Sequence, residues 1–194
     1  MKKMMMIAVM LVATLAANAQ QDPGTWSITP KVGGNLAKIT DADDVSMKFG
    51  LVAGADLTYQ LSDAFAVSFG AFYSMQGAKE KESGIEYTLN TDYINIPVLA
   101  NFYVAPGLAL KAGLQPGFNV KHKMKAEHHG ESYEGDIDNF KSLDLSIPIG
   151  LSYEISDFVI DARYNLGLTK IWDVDGSSSK NSVIQFTVGY KIPF

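Results

Sequence analysis

Eight charged side chains are set singly into otherwise apolar or small-residue stretches: Lys31, Asp56, Lys111, Asp144, Glu154, Asp161, Arg163 and Lys191. Two chemistries could use them. A carboxylate pair with separated proton affinities could act as acid and base. Alternatively, opposite charges confined to one crowded interior neutralise each other, because a buried charge is costly unless it is paired. Asp161 and Arg163 are two apart, and so share a face of an extended chain. That favours the second reading, a polar network filling a lumen.

Other candidates are weaker. His122, His128 and His129 all fall in one long polar connection. A serine–histidine site needs its imidazole held by a rigid element beside a nucleophile. Adjacent histidines on an extended chain point apart, which does not suit a shared zinc or copper ion. Asp41, Asp43 and Asp44, and then Asp173, Asp175 and Gly176, resemble fragments of calcium loops. No bidentate glutamate follows at the required spacing, so they read as solvated acidic loops. Cysteine is absent, which excludes disulfides, thiolate metal sites and cysteine nucleophiles. No catalytic residue, metal site or cofactor is expected. The formal charge of −5 also argues against nucleic acid as a partner.

The elements that position these residues alternate with period two, the strand period. Eight segments are predicted, at about residues 26–38, 47–61, 65–77, 91–104, 108–121, 143–155, 158–170 and 184–194. In the sixth, Leu143, Leu145, Ile147, Ile149, Leu151, Tyr153 and Ile155 oppose Asp144, Ser146, Gly150, Ser152 and Glu154. Tight turns at Ser62-Asp63, Ala105-Pro106-Gly107 and Ser156-Asp157 alternate with long polar connections at about 39–46, 78–90, 122–142 and 171–182. In the third of these, Lys121, Lys123 and Lys125 precede Glu127, Glu131, Glu134, Asp136 and Asp138. That order suits a hairpin with cross-paired charges.

Short turns on one side and long loops on the other, with an even strand count, describe a membrane barrel. The apolar face carries Trp26, Phe49, Phe69, Phe102, Phe118, Phe158 and Phe186 among its bulky residues. The polar face is rich in glycine, at Gly33, Gly50, Gly54, Gly70, Gly113, Gly117, Gly150, Gly167 and Gly189. An eight-stranded interior barely holds side chains, so the bulky face must point outward. The competing reading, a soluble lipocalin-like barrel suggested by Gly24-Thr25-Trp26 and Thr91-Asp92-Tyr93, would need that volume inside. Four prolines, Pro30, Pro97, Pro116 and Pro148, fall within predicted strands, where a closed barrel offers no free edge. Pro116 and Pro148, on neighbouring strands, could open a lateral path for a lipid-like ligand.

Residues 1–19 read as a cleaved signal peptide: Met1-Lys2-Lys3, then a 14-residue apolar run from Met4 to Ala17, then the small-x-small site Ala17-Asn18-Ala19. Cleavage removes two lysines and no acid, taking the formal charge from −5 to −7. Residues 20–194 form the barrel domain.

Four stretches, in order, resemble the "porin family" β-barrel domain of Gram-negative outer membranes, with its OmpX/OmpA-like eight-strand architecture. They are Lys31–Asn35 (KVGGN), Tyr73–Gly77 (YSMQG), Tyr93–Pro97 (YINIP) and Val188–Phe194 (VGYKIPF). The resemblance implies an all-β fold, an eight-stranded antiparallel up-and-down transmembrane β-barrel in the outer membrane. It implies lipid and lipopolysaccharide as surroundings. It also implies that Val188, Tyr190, Ile192 and Phe194 form the C-terminal signal read by the barrel assembly machinery. The expected function is non-enzymatic, a structural or surface-interaction role for outward loops whose ligand is unknown. The alternative is a narrow channel or lateral conduit for small or hydrophobic solutes.

Overall fold

The structure, a computed structural model, describes residues 21–40, 45–82, 85–128, 131–137, 140–172 and 178–194. The proposed signal peptide, Asp41, Asp43, Asp44, His129, Asp138, Asp173, Asp175 and Gly176 lie outside the described residues. Among the described residues the chain forms eleven strand elements. They are β1 (Trp26–Ile39), β2 (Val45–Ser62), β3 (Phe65–Glu82), β4 (Ile85–Asn95), β5 (Val98–Ala105), β6 (Leu108–His128), β7 (Glu131–Asp136), β8 (Leu143–Ile155), β9 (Phe158–Gly167), β10 (Asn181–Tyr190) and β11 (Ile192–Pro193).

These elements make a ring of eight antiparallel positions. β5 continues β4, β11 continues β10, and pairing of β10 with β1 closes the ring. β7 stands outside the ring, paired only to β6. Closure leaves the barrel wall without an edge strand.

The period-two pattern sorts the faces. Along β9, Val159, Asp161, Arg163 and Asn165 are buried while Phe158, Ile160, Tyr164 and Leu166 are exposed. Phe49, Leu51, Phe69, Phe102, Leu114, Ile149 and Phe186 continue that exposed apolar surface around the wall. Trp26 lies on it too, its ring 4.7 Å from that of Tyr59, so the lipocalin-like reading with an apolar interior is overturned.

Three differences from the sequence reading have local causes. The predicted fourth strand is two elements, because Ile96-Pro97 interrupts it without changing the register against β3. The connection expected at 78–90 contains regular strands, since β3 and β4 pair out to Glu82 and Ile85, whereas the hairpin expected within 122–142 forms as β6 paired with β7. The seventh strand ends at Gly167 rather than Lys170, and the last breaks at Lys191.

Each proline meets a gap in a ladder, which is how the wall tolerates it. Between Ile28 and Lys31, β1 loses its pairing with the final strand, and Pro30 sits in that gap. The β6–β8 ladder skips Gly113 and Leu114 opposite Pro148 and Ile147. Pro116 presents its carbonyl to the other seam, accepting from the Ile96 amide at 2.8 Å, and remains paired to Leu145 on β8. Pro116 and Pro148 therefore interrupt different seams and do not combine into the lateral path that their strand adjacency suggested. Each lacks one donor, facing one neighbour.

Candidate functional site

The lumen is built in layers from the inward positions of the ring. Nearest the tight turns, Lys191 on the break between β10 and β11 pairs with Glu154 of β8, and the Tyr103 hydroxyl donates to Glu154 at 3.0 Å.

The middle layer draws on four strands. Lys31 (β1) reaches Asp56 (β2) at 2.7 Å and Asp161 (β9) at 3.1 Å. Lys111 (β6) reaches Asp161 at 2.7 Å. Arg163 donates through Nε to Asp161 at 2.6 Å and through Nη2 to Asp56 at 3.1 Å. Its guanidinium also lies 5.5 Å from the Phe72 ring centroid. Asp161 is 1% exposed and Arg163 2%. Three cations thus share two carboxylates.

Above this lies a neutral amide and hydroxyl layer, where Asn35 donates to Ser74 at 2.8 Å and Gln115 to Ser146 at 3.2 Å. In the next layer Asp144 accepts from Thr169 at 2.7 Å and from Asn181 at 3.2 Å, and Asn181 also donates to the Tyr93 hydroxyl.

The outer mouth is apolar. Ile39, Ala78, Leu89 and Ile171 form a buried cluster, covered by Ile137, Phe140 and Trp172. His122 stacks on Phe140 at 5.6 Å and its Nδ1 bonds Asn119 Oδ1 at 2.8 Å. That histidine is committed to packing.

The structure thus brings seven of the eight lumen candidates into two ion-paired layers or their hydrogen-bonded neighbour, while Asp144 pairs with neutral donors. Sequence reading missed Lys48, inward on β2, which donates to the Gln76 carbonyl at 2.7 Å. It lies inside the predicted second segment and shares the parity of Asp56, so its inward face was readable and was passed over at the strand's first residues. It also missed Tyr93 and Phe72, apolar types at inward positions. Asp92 was missed as well. It opposes Met75, which shares the outward face of Tyr73, and accepts from the Tyr73 hydroxyl at 2.6 Å.

Little space is left between the layers. The cavity bordered by Thr29, Lys31, Thr58, Asn101, Lys111 and Glu154 measures about 20 Å³, and that bordered by Gln76, Gln115, Ser146 and Asn181 about 10 Å³. Each has the scale of about one water. Gly70 shows how tight the filling is. A Cβ there would lie 2.5 Å from Asp56 Oδ1 and 2.8 Å from Pro97 Cγ. Among the described residues no group of three or more histidine, aspartate or glutamate side chains could hold a metal ion.

Beyond the outer mouth, β3, β4, β6 and β7 continue as a sheet. Lys123 pairs with Glu134 across the β6–β7 hairpin at 3.0 Å, and Lys125 pairs with Glu127. The hydrogen bond from Lys123 and its charge hold the Glu134 carboxyl below its ordinary value and raise Lys123 in turn.

A closed eight-stranded wall that is apolar outside and charged, filled and ion-paired inside defines a transmembrane β-barrel. The chain belongs to the outer membrane protein β-barrel domain family, whose model matches residues 18–173, and it is an outer-membrane protein. No curated protein sequence matches it. Among solved structures it shares its fold with Ail, the attachment invasion locus protein of Yersinia pestis, crystallised with the heparin analogue sucrose octasulfate. That match has 19% identity, a TM-score of 0.50, and covers 88% of this chain and 99% of Ail. The Neisserial surface protein NspA is similar at 14% identity and TM-score 0.48, over 86% of this chain and 97% of NspA. The N-terminal barrel of Pseudomonas aeruginosa OprF is similar at 11% identity and TM-score 0.41, over 89% and 100%.

Proposed function

We propose that this barrel is a non-enzymatic surface-interaction protein, whose membrane-embedded part anchors a sheet presented outside the cell. The observation that carries this reading is the length of β6, 21 residues. A tilted strand crosses the hydrocarbon core in about 9–11 residues. The remainder, with its partners β4 and β7, rises roughly 20 Å past that core at the barrel's tilt. The exposed Tyr133 and the paired lysines and glutamates of the hairpin give this sheet a polar, mixed-charge face.

The filled lumen, with its ion-paired layers and apolar mouth, supports a plug rather than a conduit. The C-terminal positions Val188, Tyr190, Ile192 and Phe194 all face outward in an alternating apolar row, which suits recognition by the barrel assembly machinery. Lipid and lipopolysaccharide are then the surroundings of the wall, and the ligand of the projecting sheet is a partner at the cell surface.

An epitope inserted at Gly135, where an added Cβ meets nothing within 4 Å, tests the reading. Antibody should label intact cells, and the purified protein should give no conductance steps in planar bilayers. Labelling only after lysis, or discrete ion currents, would overturn it.

A further inference from the structure

A second feature is independent of the lumen network. Beside the apolar mouth, on the side of β3, β4 and β6, a cavity of about 170 Å³ opens among Ile39, Ala78, Leu89, Met124 and Trp172. Its volume is far above that of either lumen void. It is close to the roughly 150 Å³ at which an apolar protein cavity stays dry and takes up a benzene-sized molecule. The walls supply what such a ligand needs: branched aliphatic chains, a flexible thioether able to follow a ring edge, and an indole.

The rim sets the polarity. Tyr87 and Ser179 offer hydroxyl groups to one polar substituent. Lys79 is bound to Glu86 at 2.7 Å, and Glu80 adds a second carboxylate at the rim. The lining charges, Lys79 and Glu80, cancel, and with Lys79 already bound to Glu86 the lining favours a neutral ligand over an anionic one. We propose that this cavity is a binding site for a neutral molecule of about one six-membered ring carrying a single hydrogen-bonding group.

The chain reports on the site directly, because Trp172 is one of only two tryptophans and the other, Trp26, lies on the outward face near the tight turns. The experiment uses the full barrel with Trp26→Phe in phosphatidylcholine nanodiscs. It follows quenching of Trp172 by 4-bromobenzyl alcohol and by 4-bromobenzoate. The expected result is saturable quenching by the alcohol and at least ten-fold weaker binding of the carboxylate. Ala78→Leu fills the cavity from its floor, and Met124→Tyr closes it from a half-exposed position that leaves the buried cluster intact. Each should weaken the alcohol about ten-fold while the unboiled protein keeps its folded mobility. Quenching that rises linearly without saturation, equal in both variants, would show partition into lipid alone and overturn the site. So would equal affinity for the carboxylate.

Discussion

Removing one carboxylate from the middle layer should cost far more than removing one cation. Asp161 touches Lys31, Lys111 and Arg163 at 3.1, 2.7 and 2.6 Å. At an effective dielectric of about 20, each such contact is worth roughly 5–6 kcal/mol before desolvation is charged against it. Asp161→Asn leaves Asp56 to face three cations in a buried layer whose adjoining void has the scale of about one water. Breaking a buried network from one side in this way costs about 3–5 kcal/mol. Against a total stability of about 5–15 kcal/mol, that is a large fraction.

Lys111→Met instead leaves two cations, Lys31 and Arg163, on two carboxylates. The layer becomes neutral, one buried ammonium is no longer desolvated, and a side chain of similar length fills its place. The expected change is within about 1 kcal/mol of the parent, of either sign. The double variant should recover part of the Asp161→Asn loss, because it restores the parent's single excess charge. Equilibrium urea unfolding in lipid vesicles, followed by tryptophan emission, measures all three. If Lys111→Met destabilised as much as Asp161→Asn, the charge count would not govern this layer and the reasoning would fail.

Three further outcomes are expected. Gly70→Val should cost about 1–3 kcal/mol by overpacking against Asp56 and Pro97, whereas Gly135→Ala in the projecting hairpin should change urea stability by no more than about 0.5 kcal/mol. Leu114→Arg places a charge on the apolar wall and should cost roughly 2–4 kcal/mol. Tyr133→Arg, outside the membrane, should be nearly neutral in the same assay. The lowered Glu134 carboxyl means the Lys123 contact contributes fully above the ordinary glutamate value near 4.3 and is lost as pH falls through the lower folded value. The protection of β7 amides, taken relative to their intrinsic exchange rate at each pH, should therefore fall on acidification, and Glu134→Gln should remove that dependence. Protection that stays flat in the parent would refute it.

The barrel wall was readable because period two is a strong signal wherever one face meets lipid and the other a crowded interior. The sixth segment, Leu143–Ile155, coincides with β8 to the residue. Aspartate, lysine and arginine at inward positions stood out against apolar neighbours, so the charged part of the lumen was visible. The uncharged part was not. Tyr93, Phe72 and Val52 are apolar types whose inward placement follows only from parity, and Tyr103 bonds Glu154 from 51 residues away. The hairpin of β6 and β7 was legible from lysines followed by acids, whereas the extension of β3 and β4 to Glu82 and Ile85 was not, because alternation is weak there. Thr88 pairs with Lys79 and with Lys125, polar partners that leave no apolar stripe on that face. The apolar mouth was invisible for a different reason. Ile39, Leu89, Phe140 and Trp172 come from four separated segments, and no local pattern announces their meeting.

The central claim is a closed barrel folded in the outer membrane, and gel mobility tests it most directly. Outer-membrane fractions run in SDS with and without boiling should show two mobilities, since a closed, internally ion-paired wall resists SDS until heated. A single mobility, with the protein recovered in the soluble periplasmic fraction, would contradict the account.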